Sequence, residues 1–518
     1  MAFSASSAKD FFWVGGNGHW HGFFSNWAYS SGGNPLDTGA VPGPFDDVYF
    51  DAESFGGEDT LEVILSSAAV CRTLDFTACA GLGKYIIFRQ ENISKSFRIF
   101  GSLLLIEEMQ FTVGQIQFFA EGLECELISA GNQLPNLMFY GGDSQWTFLD
   151  SLNCGYISLV GENNRYSQLS ALQCQNFNLQ MGSYYSNGNY INCRNFNIHS
   201  PDTLNIENST IDVFPSNFYC YSDRITVFPD DSHIRLINRA SQFSNSGRRF
   251  YNVTFVDSSE GVCQLRGDGE YNHVRFNANA TIRNDNTYDT LTFTPGHTYE
   301  IYQDRIQTIN EQLNCFGECD AYIYLSVGQT EGIHSTISKS GGEVNAEYTL
   351  LEGIHGSGGA EFIATNSIDM GNNDGWDINP GAGRELYWVG GTGDWNESDH
   401  WSLASGGSGG ECPPTPVDNV YFDENSFGAE DTVYVTTTVS FCHDMDWRDV
   451  SNNPTIATRE ALRVYGSVWL SPDMQTRFGH SILFYSTKDS DELLSAGNQL
   501  PNLMFYGGDS QWSILDEL

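Results

Sequence analysis

Apolar and polar residues alternate along much of this chain in short runs, and the runs return at a fixed spacing. CGYISL begins at Cys154, CQNFNL at Cys174 and CRNFNI at Cys193, steps of 20 and 19 residues. YNVTF (251–255), YNHVRF (271–276) and YDTLTF (288–293) continue the series. Period-two alternation bounded by Gly, Asn and Ser predicts β-strands. No segment carries the helical period over a useful length. A step of about 20 residues that brings back a similar strand suits a parallel solenoid, in which rungs pair at ~4.8 Å and inward residues stack into one core. Evenly spaced short strands also suit an antiparallel sandwich. The in-register words favour an all-β, right-handed parallel β-helix over 126–380. At ~20 residues per rung, 153–375 would give about 11 rungs and a rod ~50 Å long.

A second, longer repeat overlies the first. FWVGGNGHW (12–20) matches YWVGGTGDW (387–395), and DDVYFDAESFGGEDT (46–60) matches DNVYFDENSFGAEDT (418–432). FGSLLL (100–105) matches YGSVWL (465–470), and SAGNQLPNLMFYGGDSQW (129–146) recurs unchanged at 495–512. A period near 370 residues far exceeds one solenoid rung, so a whole module is in tandem. The expected organisation is a junction from a preceding module (1–10), a β-rich front (11–125), the β-helix (126–380), a second front (381–493) and the start of a second β-helix (494–518). The aromatic and Gly-rich fronts would cap or join the solenoids, whose ends otherwise expose unpaired strand edges. The reading expects a piece of a longer tandem-repeat protein.

Charge narrows the partners. Lys and Arg total 24 against 65 Asp and Glu, a formal net charge of −41. Such a surface repels phosphate backbones, so nucleic acid is not an expected partner. The charged fraction is only 17% and the aromatic fraction 14%, which separates the chain from disordered acidic tracts. No stretch reaches the ~18–20 apolar residues of a membrane-spanning helix, and the N-terminus carries no signal-peptide pattern.

The order YWVGGTGDWNESDHWSLASGG, CPPTPVDNVYFDENSF, FCHDMDW, GSVWLSPDM and FIATNSIDMGNNDGW resembles the repeat region of the very large SprB-type gliding adhesins of Bacteroidota. The resemblance covers nearly the whole chain. It implies a long extracellular filament at the cell surface, exported by type IX secretion and moved by the gliding machinery. Attachment to a substratum or a surface polysaccharide would be its work, with other modules of the same chain as its neighbours. Asp-Ser/Thr-Leu/Val triplets in this group would mark O-glycosylation at Thr60, Ser151, Thr203, Thr290 and Thr432. The sequons at Asn208 and Asn252 carry little weight in a bacterium.

Other side chains offer chemistry to be tested. Cys412 and Cys442 flank the second front, and a disulfide between them would staple a loop-rich module outside the cytosol. Cys315 and Cys319 in CFGEC could close a small loop. Cys71 matches Cys442, but Val41 stands near the Cys412 slot, so Cys71 either pairs with Cys79 or stays free. Cys154, Cys174 and Cys193 recur at the rung period and are expected to stack as small buried hydrophobes. Asp46, Asp47, Asp51 and Asp59 recur as Asp418, Asn419, Asp423 and Asp431, with Glu53 and Glu424 in the same stretch. With Asn372 and Asp374 they offer oxygens for structural calcium, or form plain acidic turns. No other cofactor is implied. His19 and His21 make an HxH pair that Asp394 and Asn396 replace in the second copy. Trp20, Trp27, Trp395 and Trp401 lie in Gly-rich segments, where they either stack on sugars or pack a small core. A β-helix can host polysaccharide lyases and glycosidases, but these need clustered carboxylates with Arg or Lys. Here Arg and Lys are scattered, and the expectation is no enzyme. Carbohydrate binding or polysaccharide degradation is the alternative.

Overall fold

The computed structural model describes residues 8–22, 26–37, 39–237, 240–256, 261–327, 333–486, 490–506, 508 and 510–517. Strands make up 48% of it and wind as a parallel β-solenoid, about 21 turns counted over both units. The units are Met1–Thr292 with Ile306–Glu311, and Phe293–Arg305 with Gln312–Leu518.

In the first unit each early turn contributes a strand to three faces. One face runs from Asp10–Trp13 through Leu103–Leu104 to Thr226–Phe228. The second holds Gly18–His19, Thr60–Leu65, Tyr85–Gln90 and Met109–Thr112. The third begins at Val70–Cys71, Ser96–Ile99 and Gln115–Phe118. Further along, strands of eight residues turn a corner between faces. Leu152–Leu159 pairs with both Gln133–Leu134 and Asn136–Phe139, and Leu172–Leu179 and Ile191–Ile198 stack on it.

The repeated words explain that corner. In Ile191–Ile198 the buried residues are Ile191, Cys193, Phe196 and Ile198, with Arg194 and Asn195 both facing outward between the two pairs. Strict alternation would bury one of them. Two outward residues in succession shift the phase, so both halves of the strand aim their apolar side at one core. Gly155 holds this corner in an earlier turn, where a Cβ would lie 2.2 Å from Asn136 Oδ1.

Inward positions form continuous columns. Phe97, Ile116, Leu137, Ile157, Phe177, Phe196, Phe218, Phe243, Leu265 and Ile282 are successive register partners and all are buried. The rings of Phe177 and Phe196 stack at 4.3 Å, and those of Phe218 and Phe243 at 4.8 Å. Full burial of each such side chain contributes about 1.5–3 kcal/mol. Between strands the chain reverses through left-handed residues: Asp143, Asn163, Asn187, Asn208 and Asp231 have φ from 51° to 58°. Asn and Asp tolerate this region best among non-glycine residues, so the turns account for part of the acidic, Asn-rich composition.

The expected boundary near residue 125 has no counterpart in the pairing. Leu103 pairs with Leu127, and Cys125 with Trp146, in one uninterrupted parallel face. The first front is therefore the opening of the solenoid itself. Its edge is covered by one short antiparallel strand, Trp27–Ala28, paired as Phe12↔Ala28 and Trp13↔Trp27.

The second unit contains two separate ladders. Trp376–Asn379, on Phe362–Thr365, is the last strand of one. Glu385–Trp388 starts the other, with its own antiparallel edge strand (Tyr387↔Ser402, Trp388↔Trp401) and a parallel partner in Asn419–Tyr421. That ladder also runs past the expected boundary near residue 493, through Leu493↔Ile514.

Candidate functional site: the joint between modules

Where the second front meets the turns before it, three elements converge. The first is apolar. Tyr324, Leu350 and Ile368 are register partners in successive turns of the earlier ladder. Leu350 and Ile368 form a buried cluster with Phe441 of the second front, flanked by Tyr322, Met370, Val439 and Tyr465. Tyr465, Tyr485 and Tyr506 stack along that front at 5.4 and 5.1 Å. Burial pushes the phenols of Tyr322, Tyr324 and Tyr465 up, the last to about 12. Neutral phenols suit a face that is largely withdrawn from water.

The second element is covalent. Cys319 of the earlier ladder is bonded to Cys412 of the second front, across 93 residues. Neither expected pairing forms. Cys442 and Cys315 are buried free thiols, as are Cys71 and Cys79. Cys442 pairs in register with Val464 and belongs to the interior of the second front, out of reach of the loop that carries Cys412. Cys154, Cys174 and Cys193 stack in register as buried thiols.

The third element is polar. Arg384 Nη1 donates to Cys412 O and Nη2 to Pro413 O, both at 3.1 Å. Its Nε and Nη2 also donate to Asp418, at 3.1 and 2.7 Å. Asp418 is 1% exposed and accepts further from the backbone of Arg384 and from Thr415. The start of the front is thereby tied to the loop that carries the disulfide. A cleft of about 170 Å³ opens beside Tyr322, Tyr348 and Arg384.

The structure disperses the carboxylates read as calcium ligands. Asp46 accepts from the backbone N–H of Lys9 and Gly43, both at 2.9 Å, as Asp418 does from Arg384 and Thr415. Asp47 takes both arms of Arg72. Asp51 and Asp423 each cap a short turn, on Glu53 N and Asn425 N. Among the described residues no group of three or more His, Cys, Asp or Glu is placed to hold a metal. His19 and His21 bond separately to Ser66 and Ser67 at 3.0 Å. Asp394 and Asn396 make comparable bonds to Thr436 and Ser440.

The reading of the tryptophans as sugar platforms is overturned. Trp20, Trp27, Trp395 and Trp401 are at most 1% exposed. They meet edge to face inside the fronts: Trp20–Trp27 at 4.8 Å, Trp13–Trp27 at 4.9 Å, Trp395–Trp401 at 5.2 Å. The neighbouring glycines serve the turn itself: Gly15, Gly16, Gly390 and Gly391 have φ from 77° to 92°, and a Cβ on Gly18 or Gly393 would strike Asn26 or His400. Of the hydroxyls in Asp-Ser/Thr triplets, Thr60 and Ser151 are exposed, while Thr203, Thr290 and Thr432 are half-buried in strands.

The outer face of the eight-residue strands is an amide lattice. Asn195 donates to Asn176 at 2.6 Å and Asn197 to Asn178 at 2.8 Å, one turn apart. Further along, Asp212 accepts from Arg235 twice at 2.6 Å and from Tyr190 at 2.7 Å. The Asp212 carboxylate is thus held in a bidentate ion pair. Among the described residues no helix is long and apolar enough to cross a membrane. No family model matches the chain, and neither a curated protein nor a solved structure matches it.

Proposed function

We propose that this chain is a structural repeat segment of a long extracellular surface filament that mediates attachment and, in a motile host, gliding. The observation that carries the reading is the joint. A second module front, which repeats the sequence words of the first, is fastened to the preceding turns by apolar packing, a disulfide and an arginine clamp. Such a joint suits a chain whose work is mechanical, because stacked modules multiply weak contacts without new chemistry. The disulfide favours an oxidising compartment outside the cytosol. The amide lattice offers repeated donors and acceptors at rung spacing to a polysaccharide or a hydrated substratum. In this reading the segment has no enzymatic role and requires no cofactor.

Fab fragments raised against the folded chain test the reading on intact cells of the source organism. Surface labelling together with reduced attachment to glass or polysaccharide is the expected result. Labelling only after the cells are broken would contradict it.

A further inference from the structure

We infer that the outer face of the first front around Val70, Arg98 and Gln117, with the stacked rings of Phe100 and Phe119, is a docking surface for the end of another repeat: the face of a second copy that carries Tyr324, Leu350 and Ile368. The inference rests on the tandem-filament reading and identifies the surface that extends it.

The two fronts correspond residue by residue. In the second, Phe441, Arg463, Leu483 and Met504 are successive register partners. In the first, Val70, Arg98, Gln117 and Met138 hold the same register. Beside them Phe100, Phe119 and Tyr140 stack at 5.4 and 5.0 Å, as Tyr465, Tyr485 and Tyr506 do at 5.4 and 5.1 Å. The occupant of the second face is visible: Leu350 and Ile368 pack on Phe441, with Tyr324 and Tyr465 against them. Accordingly Phe441 is 2% exposed, Arg463 half-buried and its Nε shielded from solvent. On the first face Ala68 and Arg98 are exposed and Val70 is half-exposed. A row of stacked aromatic rings on the outside of a sheet is an apolar strip with a defined shape. Its counterpart shows what that shape accepts.

Complementarity supports the same occupant. The incoming face carries Glu352, which accepts the Tyr324 hydroxyl, and Asp369, which is exposed. Arg98 is a cation on a chain with few. One difference sets the strength. Val41 stands near the slot of Cys412, so the first front has no cysteine there to bond Cys319 of an incoming repeat. This joint would be held without a covalent link.

The test is a concatemer in which residues 2–376 are placed ahead of the complete chain, so that an end face precedes the inner copy of the first front. Arg98→Cys is introduced in that inner copy and, separately, in the single chain. Its alkylation under native conditions is compared with Arg463→Cys in the single chain. Gln117→Cys and Leu483→Cys repeat the comparison one turn along. We expect Arg463→Cys to react about tenfold or more slower than Arg98→Cys in the single chain, and Arg98→Cys in the concatemer to slow to a similar rate, since a packed thiol labels only through local opening. Unchanged labelling of Arg98→Cys in the concatemer, with Arg463→Cys still protected, would overturn the docking surface and leave the tandem reading intact. Fast labelling at Arg463→Cys as well would overturn both.

Discussion

The two module fronts share a plan and differ in how they are fastened. Each opens a parallel ladder with a strand ending in Trp, covers its edge with a short antiparallel strand, and fills the first turns with indoles packed edge to face. In the first, Asp46 caps the backbone at Lys9, whose ammonium lies over Tyr29. In the second, Asp418 makes the same cap and also takes the guanidinium of Arg384, which grips the disulfide loop. The core is thus common, while the Arg384 clamp and the disulfide belong to the front whose docking partner is present. The comparison separates what builds a solenoid start from what fastens one module to the next.

Substitutions in the common core should give the largest effects, alike in both fronts. Trp20→Ala and Trp395→Ala each remove a fully buried indole and should cost the unit that carries them about 3–5 kcal/mol, read as lost hydrogen-exchange protection of that unit. A much smaller loss in one front would break the equivalence.

The clamp should separate the fronts. Arg384→Ala strands the buried carboxylate of Asp418 and should destabilise the second unit by about 3 kcal/mol. Lys9→Ala, at an exposed side chain, should change the first by less than about 1 kcal/mol. Urea unfolding followed by exchange distinguishes the two. Reduction of Cys319–Cys412 opens a loop spanning 93 residues and should cost the second unit about 2–4 kcal/mol. The first unit, whose cysteines are free, should not respond.

The smallest difference is one of pH. Burial works to raise the Asp47 carboxyl, but the hydrogen bonds and charge of Arg72, with Thr73, hold it below its ordinary 3.8. A depressed folded pKa adds stability above the unfolded value, lost as pH falls through the folded one. The first unit should therefore weaken below about pH 4, and Asp47→Asn should remove that component. Asn419 stands in this place in the second front and cannot titrate. An unchanged acid profile in Asp47→Asn would show that the ion pair does not contribute.

The solenoid was legible because its signal is periodic. Cys174–Phe177–Leu179 and Cys193–Phe196–Ile198 are the same inward set one turn apart, and the return of one word in one register, more than the spacing, favoured parallel stacking over a sandwich. The fronts were harder to read. Their strands are as short as Val70–Cys71 and Leu74–Asp75, too brief for alternation to register, so solenoid turns resembled a separate module. The disulfide was not legible, since Cys319 and Cys412 meet only through the joint between two ladders. Cys442, which sequence proximity favoured, points into a core. Trp20 and Trp401 misled for a related reason: the glycines near them do form turns, but the indoles point from those turns into the core.

The proposed filament requires this module to be one of a tandem series. The most direct measurement is the mass of the native product, recovered from the source cells with an antibody to this chain. A species of several hundred kilodaltons, yielding peptides from further repeats of this ~370-residue module, is the predicted result. A native product of 57.6 kDa, the mass of this chain alone, would contradict it.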